Sequence, residues 1–170
     1  MKLYQGIVRH LHVIVLVVAT VLILGSTQIL IGRSLRANAS FWDLLHVYLG
    51  LFSVLLAAAF WLYNMSQGRW RQYYPWLVLD FSQLTADVKN LFKGKLPSAG
   101  GKGLFSVVEG IGMLLFLATA VTGLLWYIYQ GTSDALMWRG YHIDVAYYFV
   151  GFICVHMVLA CLHIIDFIRQ

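Results

Sequence analysis

Charge is scarce in this chain: Asp, Glu, Lys and Arg make up 11% of its 170 residues, against 61% hydrophobic residues. That scarcity excludes an ordinary soluble domain, which could not cover so much apolar surface. Cysteine is scarcer still. The only two, Cys154 and Cys161, lie seven residues apart within one apolar run, too far apart to bridge each other, and they read as reduced packing residues. Without a CxxC or CxxCH pattern, neither a Cys-ligated cluster nor covalent c-type haem attachment is encoded. The chain also lacks internal repeats, low-complexity tracts, and any flavin, molybdenum or iron–sulfur motif.

What it has is apolar length. Four runs, roughly 7–31, 41–63, 104–129 and 141–168, reach the 20 or so residues that cross a bilayer at 1.5 Å rise. The first run is too long for a signal-peptide core. No small-residue cleavage site follows it before the polar "GRSLRAN", so it reads as a retained span. The expectation is one integral membrane domain over residues 1–170, an all-α bundle of four transmembrane helices. Trp42, Trp61, Trp126 and Trp138 fall at span ends, where an aromatic belt would sit.

Basic residues set the expected orientation. With four spans, both termini and the middle loop share one side, which carries nine: Lys2, Arg9, Arg69, Arg71, Lys89, Lys93, Lys95, Lys102 and Arg169. The other side carries three, Arg33, Arg36 and Arg139. The positive-inside rule then puts both termini in the cytoplasm. The net charge of +5 is thus a topology signal, and no nucleic-acid partner is expected.

Short outer loops make spans one and two antiparallel neighbours, and likewise spans three and four. The middle loop, residues 64–103, contains Leu77, Phe81, Leu84, Val88 and Leu91 at helical spacing, with Asp80, Gln83, Asp87 and Lys89 elsewhere on the wheel. Pro75 suits a first helical turn and Gly94 a C-terminal cap. This predicts an amphipathic helix along the cytoplasmic interface between the second and third spans. Ser133 or Asp134 suits an N-cap that would start the fourth helix outside the bilayer and leave His142 at the outer interface.

The fourth run nevertheless keeps three histidines, His142, His156 and His163. The first two are fourteen residues apart, four turns less about 40°, so they share a face and stand about 21 Å apart along the axis. One metal ion cannot use both. Two cofactors stacked across the membrane could use one each. At matching depths the second span offers His46 on the outer side, and the first span offers His10 or His12 on the inner side. Gly50, one turn deeper than His46 on its face, leaves a gap for a flat macrocycle. Paired imidazoles on facing helices fit bis-His haem iron.

The sequences "RHLH", "HVYLG" and "VTGLLWY", together with the fourth-span pair carrying "HM" at its second member, form a joint pattern. In order and spacing it resembles the formate dehydrogenase gamma subunit, within the bacterial cytochrome b561 and Ni,Fe-hydrogenase cytochrome b superfamily. The resemblance covers nearly the whole chain. It implies a multi-pass protein of the bacterial cytoplasmic membrane with two b haems, the outer held by His46 and His142 and the inner by His12 and His156. The R-x-x-H match selects His12 rather than His10. It also implies a site for a membrane quinone, menaquinone or ubiquinone, beside the inner haem and the loop before the third span. There an N-A-G-Q-K-like segment resembles "SAGGK", pointing to Ser98 and Gly100, with serine in place of an amide side chain. The implied partners are an iron–sulfur subunit and an extracytoplasmic catalytic subunit of formate dehydrogenase or hydrogenase type. The alternative is a stand-alone cytochrome b561 that oxidises superoxide and reduces quinone.

Other charged and titratable residues remain. Glu109, about a turn into the third span from the inner side, is an expensive place for a carboxylate and a candidate proton relay to quinone. Pairing with Lys102 or with a haem-site residue is the alternative. Arg36 and Arg139 could meet outer propionates, and Arg9 inner ones. Asp144 and Asp166 fall near the ends of the fourth span and suit water or a partner subunit. His10, about 200° around the helix from His12, suits the interface. His163, about 10.5 Å beyond His156 on the same face, suits packing better than a quinone contact.

Overall fold

The computed structural model describes residues 2–97 and 101–169, and among these there are helices and turns but no strand. The helices are α1 (Lys2–Gly25), α2 (Phe41–Asn64), α3 (Trp70–Tyr73), α4 (Ser82–Leu91), α5 (Leu104–Ile128) and α6 (Ser133–Arg169). Four of them, α1, α2, α5 and α6, are long and apolar enough to cross a membrane.

Local chemistry sets their ends. α1 stops at Gly25, short of the apolar run, and gives way to a 3-10 turn over Ser26–Gln28. There the Ser26 and Thr27 hydroxyls donate back to the Ile23 and Leu24 carbonyls, at 2.7 and 3.0 Å, and compete with the helix. α2 begins with a capping box. The Ser40 hydroxyl accepts from the Asp43 amide, and the Asp43 carboxylate accepts from the Ser40 amide at 2.9 Å. The other Asp43 oxygen accepts from the Leu30 amide at 2.8 Å, which ties the chain leaving α1 to the start of α2. Asp43→Ala removes the cap, worth about 1 kcal/mol, and a charge-assisted bond worth about 1.5–3 kcal/mol. Thermal unfolding in detergent, followed by circular dichroism, should show the variant less stable by roughly 2.5–4 kcal/mol.

The two outer loops are stapled together. The Arg139 Nε donates to the Ile31 carbonyl at 2.8 Å, the Trp126 Nε1 to the Gly32 carbonyl at 3.0 Å, and the Leu35 amide to the Gln130 side-chain oxygen at 3.0 Å. Trp126 is therefore buried, at 6% exposure. The belt position expected for it is corrected: its indole N–H satisfies a loop carbonyl inside the protein.

At the inner end α2 runs on through a π turn (Met65–Arg69) into α3. Tyr74 follows and is buried, which pushes its hydroxyl above the usual range. It accepts from the Trp61 indole at 3.1 Å and donates to the Gly110 carbonyl at 3.3 Å, anchoring this segment to α5.

The amphipathic helix is present but shorter than the apolar spacing predicts. Pro75 opens a 3-10 turn (Pro75–Leu77) instead of the helix. Leu79 then takes φ 54°, and the Asp80 carboxylate accepts from the Ser82 hydroxyl at 2.6 Å, so α4 starts only at Ser82. Gly94 does take the left-handed conformation expected of a C-terminal cap, with φ 70°. Phe81, Val88 and Leu91 are exposed, whereas Asp87 is buried against α5. Its carboxylate accepts from the Leu104 amide at 2.9 Å and from the Gln83 side-chain amide at 2.8 Å, capping α5 from another helix. Gly103 fits this corner because its φ is 138° and a Cβ would run into the Asp87 carboxylate.

α1 packs on α2, α2 on α5, and α5 on α6. Ala19, Ala57, Phe116, Ala120 and Phe149 form the central core, and the small residues let the helix backbones come close. Among the described residues α6 packs most closely on α5, and it meets α1 and α2 through the rings of His156 and His142. Cys154 and Cys161 are free, but they lie on the exposed face of α6 instead of packing inside.

Candidate functional site

His46 on α2 faces His142 on α6, with ring centroids 6.1 Å apart and planes at 85°. His12 on α1 faces His156 on α6, with centroids 6.5 Å apart and planes at 50°. A metal held between two imidazoles sets a comparable spacing: two bonds of about 2.0 Å plus about 1.1 Å from each nitrogen to its ring centre give about 6.2 Å. Among the described residues no group of three or more His, Cys, Asp or Glu side chains could hold a metal ion. Each pair therefore offers two protein ligands, which suits iron whose other positions a macrocycle fills.

The outer pair borders a cavity of about 380 Å³, also lined by Gly50, Gly123, Arg139 and Tyr147. A Cβ on Gly50 would meet nothing within 4 Å, so the glycine opens the α2 wall as its position suggests. Arg139 reaches this cavity while its Nε holds Ile31, leaving the rest of the guanidinium for an anion. Arg36 lies within electrostatic reach of Asp43. His142 is braced: its Nδ1 lies 3.0 Å from the Thr119 carbonyl and 3.4 Å from the Thr122 hydroxyl. His46 is not. Its Nδ1 is buried with no hydrogen-bond partner, and the Leu22 backbone lies near the ring. The facing imidazoles, the gap at Gly50 and the arginine at the cavity wall match the needs of an iron, a macrocycle and its propionates. The residues present thus fit a haem.

The inner pair is more open. His12 is exposed and His156 half-buried. The His12 ring packs beside Phe60 at 6.0 Å, and His156 beside Phe152 at 5.5 Å. Phe152 stacks on Phe149 at 5.9 Å, and Phe149 on Phe116 at 5.5 Å. Phe116 and Phe149 also line the outer cavity, so aromatic rings run from one site to the other.

The remaining candidates separate. His10 is exposed, and His12 is the one facing His156. Glu109 is exposed at the inner end of α5, within electrostatic reach of His12 and Arg69. Lys102 does not pair with it, because Lys102 binds Asp80 at 3.1 Å. The Ser82 hydroxyl and then Lys102 hold the Asp80 carboxyl below its usual range. His163 packs edge-on to Phe105 at 5.9 Å. Asp144 is exposed on α6. Ser98 and Gly100 lie outside the described residues, as do the side chains of Arg9 and Asp166.

Sequence reasoning missed the Thr119 carbonyl, the Thr122 hydroxyl and Arg69. "VTG" was the only signal for the threonine. Arg69 is carried by the π turn, which apolar periodicity does not reveal. A family model described as prokaryotic cytochrome b561 matches residues 3–166. No curated protein and no solved structure matches the chain.

Proposed function

Since the chain belongs to the prokaryotic cytochrome b561 family of membrane electron-transfer cytochromes, we propose that it is the di-haem, quinone-linked subunit of a larger oxidoreductase. His46 and His142 would hold the outer haem b, and His12 and His156 the inner one. The observation that carries this reading is the pair of facing imidazoles at each end of the bundle, 6.1 and 6.5 Å apart. When bound, the two haems supply the one-electron relay between an extracytoplasmic catalytic partner, acting through its iron–sulfur subunit, and a membrane quinone.

The chain's own residues do the rest. The stapled outer loops and the largely apolar cavity wall frame the outer site. Arg139 supplies positive charge at the cavity, suited to a propionate. The inner site is open enough for quinone to approach, and Ser98 and Gly100 are the proposed contacts. Glu109 is the proposed proton carrier, with His12 and Arg69 as its charged neighbours. Nine basic residues against three support cytoplasmic termini, and with them a quinone site on the cytoplasmic side.

Extraction of the native membrane in gentle detergent tests the partner. The chain should co-purify with an iron–sulfur and a catalytic subunit, and its haem should be reduced by that enzyme's substrate. A chain that purifies alone and passes electrons from superoxide to quinone would instead support the stand-alone enzyme.

A further inference from the structure

Val121-Thr122-Gly123, toward the outer end of α5, belongs to the sequence pattern yet supplies no ligand. Its geometry converges on one ring. The Thr119 carbonyl, 3.0 Å from the His142 Nδ1, can only accept, so Nδ1 carries the proton and Nε2 the lone pair. The Thr122 hydroxyl has the Ala118 carbonyl as acceptor at 2.8 Å and the Thr119 carbonyl at 3.0 Å; donating to the shorter contact leaves its lone pairs for Nδ1 at 3.4 Å. Gly123 follows Thr119 by four residues, the helix position that flanks that carbonyl. A Cβ there would stand 3.2 Å from both Nδ1 and Cε1 of His142, so the ring would have to shift by a few tenths of an ångström. Glycine leaves the carbonyl open to a donor from another helix. Across the pair, His46 has no such partner on Nδ1.

We infer that Thr119, Thr122 and Gly123 form a seat that fixes the tautomer of His142 and makes it the stronger electron donor of the outer pair. They are positioning residues. This rests on the proposed outer haem. A metal-bound imidazole that donates its other N–H to a carbonyl is more basic, and a more basic axial ligand favours ferric iron. The seat therefore holds the outer haem's potential down.

Gly123→Ala, Thr122→Val and Thr122→Ser, each purified with haem, test the seat. The readouts are haem per chain, the low-spin electron paramagnetic resonance signals, and an equilibrium redox titration. Gly123→Ala should favour the ferrous outer haem about tenfold, a rise of about 59 mV for one electron. It should also weaken retention of that haem about 10- to 100-fold and leave the inner signal unmoved. Thr122→Val should shift the outer potential the same way by less, and Thr122→Ser should keep the wild-type value. If Gly123→Ala does not fold, the Thr122 pair decides alone. An outer potential and signal unchanged in every folded variant, or Thr122→Ser shifted as far as Thr122→Val, overturns the inference. Wild-type protein with fewer than two haems overturns the underlying haem assignment instead, so the two failures are distinguishable.

Discussion

His142→Ala should lose the outer haem and keep the inner one, and His156→Ala should do the reverse. Each substitution removes one of the two protein ligands proposed for its site, and the two positions lie about 21 Å apart along α6, so neither should disturb the other directly. Haem content should fall by about half in each variant, because a haem iron deprived of one axial ligand loses both its low-spin state and much of its anchorage. The two losses should differ spectroscopically. The outer histidines are both half-buried beneath stapled loops, whereas at the inner site His12 is exposed. Within the inner pair His12→Ala should behave like His156→Ala, while His10→Ala keeps both haems, because His12 is the ring facing His156 at 6.5 Å. Pyridine haemochrome per chain and the low-spin resonance signals check this. A folded variant that loses both haems, or a His10→Ala protein that loses the inner one, would break the pairing.

Glu109→Gln should slow quinone turnover by about 10²-fold or more, the usual size of a lost acid–base group. Both haems should remain bound and reducible by dithionite. Glutamine keeps the shape and a hydrogen-bonding oxygen but cannot carry a proton. Glu109 lies within electrostatic reach of His12 and Arg69 without a bond to Lys102, which Asp80 occupies. On this proposal its carboxylate exchanges protons at the inner site. The effect should fall on turnover more than on haem potential, since Glu109 is assigned no ligand role. Unchanged turnover across the pH range would remove the proton role and leave the histidine framework standing.

Both sites owe most of their legibility to counting. Helical periodicity put His46 level with His142 and the first-span histidines level with His156, and the rings lie 6.1 and 6.5 Å apart. The same arithmetic could not choose between His10 and His12, since it says only that the two diverge. The R-x-x-H resemblance made that choice. Spans were legible because hydrocarbon demands long apolar runs. Ends were less so, because hydroxyls decide them locally: Ser26 and Thr27 stop α1, and the Asp80–Ser82 contact delays α4. Trp126 read as a belt residue because its position along the span carries no information about the loop carbonyl at Gly32. The buried Asp87 cap on α5 and the Thr119 carbonyl at His142 were illegible for one reason: each is a contact between helices at a backbone atom, which every residue type shares.

The most direct test of the central claim is the haem stoichiometry of the purified, fully loaded chain by pyridine haemochrome. The account predicts two non-covalent b haems per chain, both six-coordinate and low-spin. One haem, or none, would contradict it.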